Sequence, residues 1–279
     1  MNTKVIRYIL YTFIVIICMI SIVIAVYVQF FREEPIEGSY ENDISAGGSQ
    51  NLVTPQDVKQ SFLDLFTNEF YSNQYLGEVS KLDESKELVY TAYSNSETVD
   101  GKYSIDVNIP VINIQGDVVL EYNNISQTVF ADKINSIMTN ANAYTIYNLD
   151  YTAYINNDIL SVAIMATIKE GDNPQRIMVQ TYNYNLATGQ NVSVKDILNN
   201  RGIDENVVKN RISDTIKKAS EDASKMAESG YQVYQRNPND EIYNIDNIET
   251  FIEGPSGELY IIFAYGNNNY TSEMDVIEI

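Results

Sequence analysis

Hydrophobic positions in this chain form one long block near the start, followed by short sets that alternate or recur at helical spacing. From Tyr8 to Phe31 no residue is charged. A hydrocarbon core about 30 Å thick needs roughly 20 apolar helical residues, so residues 8–31 are expected to span a bilayer. Lys4 and Arg7 precede the block and Arg32-Glu33-Glu34 follow it, which predicts a cytoplasmic N-terminus, residues 1–7, and an extracellular C-terminal part. A cleaved secretory signal would have an apolar region of about 7–15 residues and a small-x-small site. This block is longer, and residues 21–27 offer no good pair of that kind. Tyr8, Tyr11 and Tyr27 stand near its two ends, where interfacial aromatics concentrate. The expectation is an uncleaved anchor in the cell membrane. Residues 32–53, with Ala46-Gly47-Gly48-Ser49, read as a flexible stalk.

The rest, residues 54–279, reads as one extracytoplasmic domain. Thr54-Pro55 is a helix start, and Val58, Phe62, Leu65, Phe66 and Phe70 share a helical face, which predicts a helical neck over about 54–80. Residues 102–109 alternate strictly and Pro110 follows, predicting a strand that lies at an edge or bulges there. Helical period returns over 123–140 through Phe130, Ala131, Ile134, Ile137 and Met138, with Asn124 or Ser126 as cap. Strands are predicted over 144–155, 159–168 and 176–186, joined by turns at Asn156-Asn157-Asp158 and Gly171-Asp172-Asn173-Pro174. Ser193-Val194-Lys195-Asp196 resembles a capping box opening a one-turn helix. A long helix is predicted over 204–228, with closing strands at 249–253, 258–265 and 274–279. The fold class is therefore α+β: a largely antiparallel sheet with helices packed on one face, preceded by one transmembrane helix.

Charge narrows the choice of partner. The chain has 18 Lys and Arg against 38 Asp and Glu, a net charge of -20. Residues 1–30 hold only Lys4 and Arg7, so the remainder has 16 bases, 38 acids and a net charge of -22. Such a field repels nucleic acid and speeds encounter with cationic proteins, although acidity also serves solubility alone. With no histidine, Ser-His-Asp and Cys-His catalysis and His-ligated metal sites are excluded. The single cysteine, Cys18, lies in the apolar block, so the exposed part has no disulfide and no thiol nucleophile. No phosphate-cradling or dinucleotide-binding glycine motif is present, and neither a cofactor nor an enzymatic activity is expected.

Acidic pairs at Asp240/Glu241, Asp246/Glu249 and Glu273/Asp275 formally suit glycosidase chemistry, which needs two carboxyls at a set separation. With 38 acids, chance pairs are certain, and solvated surface acids are the preferred reading. Oxygen-rich residues 237–247 match no calcium-loop spacing and read as a surface loop. Tyrosine and asparagine concentrate at 231–243 and 265–271. Tyrosine gives contact area at low entropic cost and asparagine adaptable hydrogen bonds, a pairing favoured in protein-binding loops. Coding bias alone would give the same composition. The candidate partner-binding residues are Tyr234, Glu241, Tyr243, Tyr265, Asn268, Asn269, Tyr270 and Glu273.

The order of segments is similar to a bacterial extracytoplasmic domain family. Residues 104–112 (Ser-Ile-Asp-Val-Asn-Ile-Pro-Val-Ile) resemble its opening strand with Asn-Ile-Pro. Residues 181–190 (Thr-Tyr-Asn-Tyr-Asn-Leu-Ala-Thr-Gly-Gln) resemble its central strand and Thr-Gly turn. Residues 159–162, the short helix at 194–198 and the strand at 257–263 occupy the matching places. The family includes the ectodomains of RsiV-type anti-sigma factors, which bind host lysozyme, and accessory domains of PdaC-type peptidoglycan deacetylases. The resemblance implies an α+β head that binds lysozyme, a cationic extracellular muramidase, and inhibits it. Where family members carry Tyr-Glu-Ile-Ala-Pro-Tyr-Ala-x-Gly, this chain has Tyr-Gly-Asn-Asn-Asn-Tyr-Thr at 265–271. Seven residues ahead of the span are too few for a helical domain that holds a sigma factor, because helices below about 12–15 residues are marginal in isolation. Capture is thus expected over signalling. The alternatives are a module binding wall glycan or envelope components, an enzyme using paired carboxylates, or a ligand sensor regulated by proteolysis.

Overall fold

The computed structural model describes residues 54–72, 79–265 and 273–279. The expected span at 8–31 and stalk at 32–53 lie outside the described residues, and no described helix is long and apolar enough to cross a membrane. Residues 52–279 form one compact unit.

The first helix, α1 (Pro55–Leu63), is fixed by a reciprocal cap. The Asp57 N–H donates to the Thr54 hydroxyl at 3.2 Å, and the Thr54 N–H donates to the Asp57 carboxylate at 2.8 Å. Val58 and Phe62 are buried as predicted, but the helix stops at Leu63. Asn68 then takes a left-handed conformation (φ 60°), and Phe70 lies on a strand, β1 (Phe70–Ser72). A helical face drawn through Phe70 fails because backbone reversal at Asn68, not hydrophobic spacing, sets the element boundary.

The large sheet has the order β2 (Val89–Val99), β3 (Tyr103–Ile112), β4 (Thr145–Asn156), β5 (Ile159–Glu170), β6 (Arg176–Asn185) and β7 (Gln190–Asn191), with β1 also beside β4. The β4–β5 and β5–β6 pairs are antiparallel. Asn157 (φ 46°) and Asp158 (φ 64°) make the tight two-residue turn that matches strand twist. By contrast, β3 and β1 both run parallel to β4. The chain returns from β3 through a long crossover helix, α2 (Asp117–Asn140), and such a crossover makes the next strand parallel. Pro110 lies beyond Val107, where pairing to β4 ends, and the opposing strand β2 bulges between Thr91 and Tyr93.

Helix α2 begins six residues before the predicted start at Asn123, and neither Asn124 nor Ser126 caps it. Asn123 is buried inside the helix, where its amide accepts from the Ile112 N–H at 2.9 Å and donates to the Ile112 carbonyl at 2.8 Å. A residue that reads as a helix start instead ties the helix to the end of β3.

The closing strands β8 (Phe251–Glu253), β9 (Leu259–Tyr265) and β10 (Glu273–Glu278) form a second, antiparallel sheet. This corrects the expectation of helices on one face of a single sheet. Val119, Phe130, Ile134 and Ile137 of α2 cover the first face of the large sheet. Ile252, Tyr260, Ile262, Met274 and Val276 of the small sheet pack with Val58, Phe62, Tyr154 and Ala163 against its second face. The outer face of the small sheet, including Phe251, Ile261, Phe263 and Tyr265, meets α3 (Val194–Arg201) and α4 (Glu205–Glu228). The layers therefore run helix, sheet, sheet, helix. Each layer buries alternate residues of strands that the period-2 pattern alone cannot assign to one sheet or another.

A few polar contacts border this apolar interface. Asn183 of the large sheet accepts from the Ser161 hydroxyl at 2.6 Å and donates to the Phe251 carbonyl of the small sheet at 2.9 Å, while Arg201 at the end of α3 bridges to Glu253 and to the Gly257 carbonyl of the small sheet. Burial raises the Glu253 pKa, and the Arg201 charge opposes that shift.

Candidate functional site

Strand alternation places Tyr265, Glu273 and Asp275 on the face of the small sheet that looks toward α4. Tyr234 follows α4, and Tyr243 ends a 3-10 turn at Glu241–Tyr243. Four of the candidate residues, Tyr234, Tyr243, Tyr265 and Glu273, therefore converge. Glu241 is exposed, beside a pocket of about 270 Å³ between α4 and residues 238–244 that Tyr243 also lines. Asn268, Asn269 and Tyr270 lie outside the described residues.

The convergence centres on Arg236, a residue not among the candidates. Its side chain is 7% exposed. It makes two bonds to Asp275, both 2.9 Å, a third to Glu273 at 2.6 Å, and a fourth to the Tyr234 carbonyl at 3.0 Å. Tyr265 donates to Asp275 at 2.7 Å, which leaves the Tyr243 hydroxyl to donate to Tyr265 at 2.8 Å. The Tyr234 and Tyr265 rings stack with centroids 4.6 Å apart, and the Arg236 guanidinium lies 5.2 Å from the Tyr265 centroid.

Burial alone would lower the Arg236 pKa, but hydrogen bonds and charge from Asp275 and Glu273 hold it above its ordinary value. Burial, reinforced by the Asp275 charge, raises Tyr265, and burial pushes Tyr243 up to about 12. Both phenols stay protonated at neutral pH and serve as fixed donors. Removing one partner of such a buried pair leaves an uncompensated charge, at a cost of about 3–5 kcal/mol. The cluster is thus a rigid platform. Tyr243 and Tyr265, 8% and 5% exposed, support that platform from within, while Glu241 and half-buried Tyr234 reach its surface.

A signal for Arg236 exists in the sequence: it is the sole cation after Lys225, in a stretch holding ten acids. One member of each of the other acidic pairs also has a side-chain partner. Asp240 accepts from Asn237 at 2.7 Å, and Asp246 pairs with Lys195. Among the described residues, no three Asp or Glu side chains converge as a cation site.

No family model and no curated protein matches the chain. Solved structures do resemble it. A DUF3298 family protein from Pseudomonas aeruginosa PAO1 matches at 11% identity, covering 72% of this chain and 91% of that one, with a TM-score of 0.39. A DUF3298 member from Bacteroides fragilis matches at 10% identity, covering 63% of this chain and 81% of that one, with a TM-score of 0.31. At this distance neither assigns a function.

Proposed function

We propose that this chain is a membrane-tethered extracytoplasmic binding protein that captures a cationic protein, a lysozyme-type muramidase, and blocks its cleft. The observation that carries the reading is the acid excess of the head: residues 54–279 hold 15 bases and 33 acids, a net charge of -18. Among the described residues, Lys133, Arg176, Lys195, Arg201, Lys209, Lys225 and Arg236 are held in internal ion pairs. What faces solvent is dominated by carboxylates, a field complementary to a basic protein. The resemblance to lysozyme-binding ectodomains supplies the ligand class. Tyr234, stacked on Tyr265 of the Arg236 platform, and the exposed Glu241 are the proposed contacts, together with Asn268, Asn269 and Tyr270.

The test is calorimetric titration of the full-length protein in detergent micelles with lysozyme. A saturable one-to-one isotherm is expected whose affinity falls as salt rises. Absence of saturable binding near physiological ionic strength would overturn the proposal.

A further inference from the structure

The large sheet divides beside β4. Because β5 pairs along the whole of β4 on one side, β3 and β1 share the other. Strand β3 keeps that side only as far as Leu149, and β1 takes it from Ala153 onward. Asn68 spans the change. Its N–H donates to the Tyr151 carbonyl at 2.9 Å, its side-chain oxygen accepts from the Tyr151 N–H at 3.0 Å, and its amide donates to Asp150 at 2.7 Å. One asparagine thus replaces a strand residue, and the β2–β3 hairpin separates from β1.

The separation leaves a cleft of about 330 Å³ whose walls include Glu69, Phe70, Glu87, Tyr90, Thr91 and Tyr151. Tyr151 is 2% exposed, and its hydroxyl is 3.0 Å from that of Thr91. Burial raises the Tyr151 pKa, the Thr91 bond lowers it, and the charges of Glu87 and Glu69 raise it further, so both carboxylates are felt inside the cleft. Glu69 accepts from the Tyr71 hydroxyl. Neither glutamate has an ion-pair partner among the described residues, unlike Glu273 and Asp275 around Arg236. A cation already visits the aromatic wall: the Lys86 ammonium lies 5.5 Å from the Tyr90 centroid.

A largely polar cleft with tyrosines in its walls and two exposed carboxylates that form no ion pair among the described residues suits an organic cation. A calcium ion would need six to eight oxygen ligands, which this cleft does not gather. A planar guanidinium can face two carboxylates and stack on a tyrosine ring, which an ammonium does less well. We infer that the cleft where the large sheet divides receives an arginine side chain of the partner protein. This rests on the reading that the partner is cationic, and it names the element recognised, on a different part of the head from the Arg236 platform.

The experiment uses full-length protein in micelles and two probes, acetyl-Arg-Arg-Gly-amide and its uncharged citrulline counterpart, with lysozyme titrated separately. The arginine peptide should bind and the citrulline peptide should not. The Glu69→Gln/Glu87→Gln pair should weaken peptide binding by about fivefold to tenfold, in line with partly exposed charge contacts. Glu221→Gln/Glu228→Gln on α4, with the same change in net charge, should weaken it less than about twofold, as distant screened charges do. Lys86→Met, which removes the resident cation, should strengthen it by about twofold. Equal weakening by both glutamine pairs, equal binding of both peptides, or no binding of the arginine peptide to the wild-type protein overturns the inference. Peptide binding that needs Glu69 and Glu87, without any lysozyme binding, supports the cleft and overturns the lysozyme reading. Lysozyme binding unchanged in the Glu69→Gln/Glu87→Gln protein overturns the cleft and leaves that reading intact.

Discussion

Two regions of the head are built from the same materials, tyrosines and glutamates, with opposite outcomes. Around Arg236, two carboxylates meet a buried guanidinium and two phenols, and every charge has a partner. At the division of the large sheet, Glu69 and Glu87 flank a cleft and no described cation pairs with them. In the first region the acids hold the fold together. In the second both are exposed and form no ion pair among the described residues. A cation supplied from inside makes carboxylates structural, and its absence leaves them for a ligand.

That contrast is easiest to break at Arg236. Replacing it with methionine should cost about 3–5 kcal/mol, because Glu273 and Asp275 are left facing each other with no cation between them. For a domain of this size the melting temperature should fall by about 6–20 °C, measured on the full-length protein by denaturant and thermal unfolding. A loss under about 1 kcal/mol would erase the distinction between the two regions. Tyr265→Phe removes one hydroxyl that both donates and accepts, and should cost about 1–3 kcal/mol in the same assay.

A smaller effect is expected on the acid limb of stability. Hydrogen bonds from the Ser193 hydroxyl and N–H hold Asp196 below the ordinary aspartate value. Its folded pKa is depressed, so its stabilisation is present above the unfolded value of about 3.9 and is lost as pH falls below it. Asp196→Asn should therefore flatten the decline of stability below about pH 4, and an unchanged slope would refute this. Smallest of all, Glu69→Gln/Glu87→Gln should move stability by no more than about 0.5 kcal/mol. A larger loss in chemical denaturation would mean that these acids are structural after all.

Much of the fold is legible where local chemistry decides it. The turn at Asn157-Asp158, the Ser193–Asp196 cap and the apolar repeat of α4 sit where the residues place them, because each rests on interactions within a few positions. Failures begin where a residue's partner is distant. Asn123 carries a cap's chemistry yet spends it on Ile112. The alternation of 249–253, 258–265 and 274–279 gives each strand two faces without saying that they form a separate sheet. At the site, loop composition brought Tyr234, Tyr243, Tyr265 and Glu273 into view, but Arg236, the sole cation after Lys225, is not among the candidates, because its acidic partners lie as far as 39 positions away. Asn68 gave no sign at all, since an asparagine acting as a strand residue looks like any turn asparagine.

The bonds of Asn68 have a kinetic consequence. They join positions 82 and 83 residues apart, whereas the β4–β5–β6 meander closes through short turns. Contacts at such separation carry a loop-closure penalty and form late in folding. The cleft is lined by residues near 68, 90 and 151, so a chain that has completed only its hairpins has no cleft. Competence to receive the cation is then a property of the finished head alone, and its appearance would time the last step of folding.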